Sequence, residues 1–164
     1  MEISAAHAAD TDYLVRQAMN SGYQWSSLLV PPAYITYVLA RKGRGALSFN
    51  RFLRATWIGG LGGAAVFGGA SYVRNAYSSE EPVRARRIET AYDVDRVRRI
   101  DHSTIGSVLA AVLTPAIFWN RANIVNLILG GAGLGSTAGL LTHYGRTISG
   151  DPPAKIKAPP VPTP

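Results

Sequence analysis

Residues 55–73 (ATWIGGLGGAAVFGGASYV) and 124–141 (IVNLILGGAGLGSTAGLL) are uncharged, glycine-rich runs close to the length of a bilayer-spanning helix. In water each interior glycine costs a helix roughly 1 kcal/mol against alanine. In lipid, small residues instead let neighbouring helices approach closely and pack. The glycines therefore read as a packing surface, and the chain as a membrane protein.

A hydrocarbon core about 30 Å thick needs roughly 17–25 mostly apolar residues per helix. Residues 25–40 and 104–119 come near that limit, giving four expected spans near 25–40, 55–73, 104–119 and 124–141. The connection at 41–54 is short and basic, 74–103 is long and mixed in charge, and 120–123 is a tight turn. The expected fold is an all-α membrane protein: four transmembrane helices as two hairpins, with a polar crossover and a Pro-rich C-terminal tail. Its parts are a polar N-terminal segment (1–22), a four-span membrane domain (23–145) and an extended tail (146–164), with no room for a separate catalytic domain.

Small residues recur every four positions as Ala55, Gly59 and Gly63, as Gly60, Ala64 and Gly68, and as Gly131, Gly135 and Gly139. Gly59, Gly63, Gly131, Gly135 and Gly139 are the expected helix-packing positions. Pro31-Pro32 and Pro115 should bend or break spans one and three where neighbouring protein satisfies the freed backbone groups; alternatively, span one is a tilted or interfacial segment starting after Pro32. Tyr23, Trp25, Trp57, Tyr72, Trp119 and Tyr144 lie near span ends, where amphipathic rings favour the headgroup level. The run GGAGLGST lacks the lysine and the preceding strand of a nucleotide-binding loop.

The formal net charge of +7 is unevenly spread. Arg41, Lys42, Arg44, Arg51 and Arg54 crowd the short first connection with no acid among them, whereas the crossover sets seven arginines against six acids. A short, purely basic loop stays on the side from which insertion occurs, which places both termini and the crossover opposite it. The same five side chains are candidates for anionic phospholipid headgroups such as cardiolipin; nothing resembles a nucleic-acid-binding fold.

In the crossover, Asp93 precedes Arg96 by three residues and Asp95 precedes Arg98 and Arg99 by three and four, spacings that support an exposed polar helix. Asp95, Arg98, Arg99 and Asp101 are its expected docking residues. Ser103 or Asp101 is expected to cap span three, and His143 to sit at the C-terminal end of span four. The tail GDPPAKIKAPPVPTP is too polar and proline-rich to pack on itself. No Asp, Glu, Lys, Arg or His falls at mid-span, which argues against ion or proton transport by this chain alone. His7, His102 and His143 lack metal-ligand spacing, and there is no cysteine. No catalytic, metal or cofactor role is expected. The N-terminus carries neither a secretory signal nor an Arg-rich transit peptide.

Arg98-Arg99-Ile-Asp101-His-Ser-Thr-Ile-Gly106 entering span three, and Gly131 to Gly139 in span four, resemble the Tim17-like four-span family of the mitochondrial inner membrane across roughly residues 50 to 145. The run from Thr104 to Asp151 is similar to the hydrophobic accessory subunits, fungal type included, of respiratory complex I. The resemblance implies an inner-membrane, non-catalytic subunit of NADH:ubiquinone oxidoreductase, packed against core membrane subunits and lipid, with both termini in the intermembrane space. The alternatives are a Tim17-like subunit of a protein translocase and a small-solute carrier.

Overall fold

Short polar side chains mark where helices begin. Ser4 accepts a hydrogen bond from the His7 N–H (3.1 Å), Asp93 from the Arg96 N–H (3.1 Å) and Asn123 from the Val125 N–H (2.9 Å), each satisfying a donor the helix itself leaves unpaired. Gly43, at φ 76°, ends the first helix in a conformation L side chains rarely adopt. In the computed structural model, which describes residues 4–154 and Pro159, these signals delimit five helices and, among the described residues, no strand. They are α1 (Ala5–Lys42), α2 (Phe49–Ala76), α3 (Glu80–Ala91), α4 (Val94–Phe118) and α5 (Ile124–Ile148).

α1 packs against α2 and α4 against α5 as two hairpins, and α5 lies at the centre, touching α4, α2 and α1. The chain passes up and down four times, so the start of α1, the end of α5 and α3 gather at one end and the basic connection and the 119–123 turn at the other. α4 and α5 are long and apolar enough, by length and composition, to cross a membrane. The expected four spans are not matched on that measure. α1 and α2 have the length, but serines, Gln24 and the glycines give them too little apolar area.

Three boundaries differ from expectation. Residues 4–22 are not a separate polar segment: from Ala5 they are the first turns of α1, because His7, Asp10 and Thr11 turn inward and Asp10 accepts a hydrogen bond from Arg87 of α3 at 2.9 Å. The crossover contains two helical stretches, since Asp93 caps a new helix and residues 94–102 become the opening turns of α4. Neither Pro31-Pro32 nor Pro115 breaks its helix; α2 holds α1 along the turns that lead into the proline pair, with Met19 over Gly68 and Val30 over Gly59. Pro31 is buried, Pro115 half-buried and Pro32 exposed. The Pro-rich tail beyond residue 154 lies outside the described residues, apart from Pro159.

The interior is unusual for a protein in water. Its apolar members are Leu14, Val38, Leu53, Ala64, Val83, Leu127 and Leu140, and they are outnumbered by polar ones including Gln24, Ser27, Thr56, Ser103, Ser136 and His143. Most of the large aliphatic side chains point outward: Val66 is 68% exposed, Val112 66% and Ile117 67%.

Candidate functional site

The glycine stripes sort into interfaces. A Cβ at Gly59 would meet Val30, and one at Gly63 would meet Ser26 and the Gly22 carbonyl, so this stripe faces α1. The second stripe faces α1 too, with Gly60 against Tyr23 and Ser27 and Gly68 against Met19. On α5, Gly131 faces Ala110 and Thr114, Gly135 faces Gly106, and Gly139 faces the His102 and Ser103 backbone, all on α4. The opposite side of α5 is also glycine: Gly130 against Leu53 and Gly133 against Thr56 let α2 come close as well. Two contacts set glycine backbone on glycine backbone, Gly22 with Gly63 and Gly106 with Gly135. Gly22 and Gly106 were missed as packing residues. Their signal was present in Ala18-Gly22-Ser26 and Ser103-Gly106-Ala110, stripes diluted by serine.

Polar contacts pin these helices in register. At the basic end, the Trp57 indole N–H donates to Asn126 Oδ1 (3.0 Å), while the Asn126 amide and the Asn123 backbone N–H donate to Asn50 Oδ1 (2.8 and 3.0 Å). This joins the first turns of α2 and α5. At the other end, the Ser103 and Ser136 hydroxyls meet at 2.6 Å in the α4–α5 contact. His143, 1% exposed, turns Nε2 toward Asp95 Oδ1 at 3.2 Å, and its ring lies edge-on to those of His102 and Tyr144.

Two of the four expected docking residues are engaged within the chain. Asp95 holds His143, and Arg98 reaches across to Asp151 in the tail. Arg99 is partly buried and Asp101 exposed. Of the expected intrahelical pairs, only Asp93–Arg96 forms, at 3.6 Å. Neither Ser103 nor Asp101 caps α4; both lie inside the helix, and Asp93 takes that role. Of the five basic residues in the first connection, Lys42, Arg51 and Arg54 line one cleft, and Arg41 and Arg44 stand outside it. Among the described residues no group of three His, Asp or Glu converges as a metal site would require.

Asp151 fastens the start of the tail. Hydrogen bonds from Arg98 and then Arg146, the latter at 2.8 Å, hold its carboxyl below the usual carboxylate range. A group depressed in this way contributes its full share above its unfolded pKa and loses it as the pH falls through the lower, folded value. The clasp is therefore expected to stay closed at neutral pH and to open only below the ordinary carboxylate range. Hydrogen exchange at Ser149–Asp151, followed down a pH series with exchange rates corrected for pH, should show this, and Asp151→Asn should show the open state at every pH.

Comparison with protein-family models, with characterised proteins and with solved structures finds no match to this chain.

Proposed function

We propose that this chain is a four-span membrane protein that serves as a non-catalytic structural subunit of a larger membrane assembly. The inverted distribution of polarity carries the reading: polar and glycine positions inside, large aliphatic side chains outside. A protein in water rarely leaves so wide an apolar surface uncovered, whereas lipid covers it at no cost and rewards close helix contact. α4 is the barest element, with 11% of its apolar window buried. α1 and α2 join as spans because Leu29, Ile35 and Leu39 on one, and Ile58, Leu61 and Val66 on the other, also face outward.

The assembly we propose is mitochondrial NADH:ubiquinone oxidoreductase, on the resemblance of the run from Thr104 to Asp151 to its hydrophobic accessory subunits alone. The positive-inside rule then puts the basic connection in the matrix and both termini in the intermembrane space.

Mass spectrometry of native-gel slices from gently solubilised mitochondrial membranes tests the assembly. Migration with the megadalton NADH dehydrogenase is the expected result. Migration with protein-import machinery would favour the translocase reading, and migration alone would remove the subunit reading. Protease protection of a terminal tag in intact and outer-membrane-ruptured mitochondria tests the orientation separately.

A further inference from the structure

Between the end of α1 and the start of α2 lies a cleft of about 340 Å³, and its chemistry changes along the two helices. Lys42 lines it nearest the connection with Arg51 and Arg54, which follow one face of α2 at a spacing of three. Ile58 continues that face about 6 Å beyond Arg54, at 1.5 Å per residue. Opposite it, α1 contributes Val38, which is buried, and the rings of Tyr34 and Tyr37. Among the described residues no carboxylate lies within ion-pair distance of any of the three cations. The start of α2 adds to the positive potential, since Ser48 makes no side-chain cap and the first turn holds no acid.

We propose that this cleft is a binding site for one anionic phospholipid. Its phosphate is held by Lys42, Arg51 and Arg54, and an acyl chain runs past Tyr37 toward Ile58. Charge complementarity selects the anion. The apolar wall that follows the cations along both helices selects a lipid over a soluble phosphate, which would have nothing to place against Ile58. The site rests on the membrane reading above and adds to it a defined position and chemistry, distinct from a basic loop attracted to the surface as a whole.

The test uses the full chain in phosphatidylcholine nanodiscs containing a minor fraction of phosphatidylglycerol, with retained lipid counted by native mass spectrometry. One phosphatidylglycerol is expected to stay bound. Arg51→Gln with Arg54→Gln should weaken retention by about thirtyfold, each cation near the surface contributing about a factor of five. Arg41→Gln with Arg44→Gln removes the same charge outside the cleft and should leave retention within about twofold of the unaltered chain. Ala55→Trp fills the cleft with every cation in place and should also expel the lipid. Equal losses from the two charge pairs would overturn the proposal in favour of diffuse attraction. Displacement by glycerol phosphate at matching concentration would overturn it in favour of a soluble anion. Extraction of the chain from vesicles by alkaline carbonate would instead remove the membrane reading itself.

Discussion

Gly135→Leu is expected to force α4 from α5 and to destabilise the folded chain by at least about 3 kcal/mol. A Cβ at this position would collide with the Gly106 carbonyl and stand 2.6 Å from the Ala110 Cβ. Backbone cannot rotate aside as a side-chain tip can, so relief requires the helices to separate along their whole contact. Separation would also pull apart the Ser103–Ser136 hydroxyl pair one turn away and draw His143 from Asp95. Gly62→Leu is the matched control, because nothing lies within 4 Å of a Cβ there; it should leave the folded fraction unchanged. Thermal unfolding in mild detergent, together with the amount of intact assembly on native gels, reads both variants. A stable, assembled Gly135→Leu chain would show that the α4–α5 contact is looser than described.

Asn126→Leu should uncouple the two hairpins at the basic end, at a cost of about 1–2 kcal/mol. Asn126 is the middle of the chain of hydrogen bonds from Trp57 to Asn50. Leucine keeps most of its volume and removes both bonds, leaving the indole N–H without its acceptor. The α1–α2 and α4–α5 contacts do not involve this side chain, so each hairpin should survive intact. Cross-linking between cysteines introduced on α2 and α5 should therefore fall, while cross-linking within each hairpin should not. Trp57→Phe, which deletes only the indole donor, should produce a smaller loss of the same kind. Equal losses within and between hairpins would show that the network supports the whole bundle.

Much of this architecture was legible along the chain. The glycine repeat at Gly131, Gly135 and Gly139 is periodic, and periodicity identifies a helix face without knowledge of its partner. The short turn at 120–123 required α4 and α5 to be antiparallel neighbours. The polar N-terminal residues were misjudged because composition was read as location. Residues 4–22 look soluble by themselves, yet Asp10 has a partner in Arg87, which also lies over the Tyr13 ring at 5.7 Å, so the segment continues α1 against α3. The crossover residues were misjudged similarly. Asp95 and Arg98 carry charge on a helix face that looks free in sequence, but α5 and the tail bring His143 and Asp151 to them.

The sequence by itself determined that this chain is helical, where its helices are smooth, and at which ends its charges collect. These follow from local pattern: small residues every fourth position, and uncharged runs between basic and mixed-charge stretches. Only the tertiary structure decided which face meets which. α5 carries glycine on two sides, and nothing local says that Gly135 meets α4 while Gly130 meets α2. Nor does it say that Asn50 and Asn126, 76 positions apart, close one hydrogen-bonded joint, or that Asp95 reaches His143 across 48. Such pairings depend on how helices of similar outward chemistry can approach. That is set by the shape of the whole bundle, because a small residue permits contact with any neighbour and specifies none.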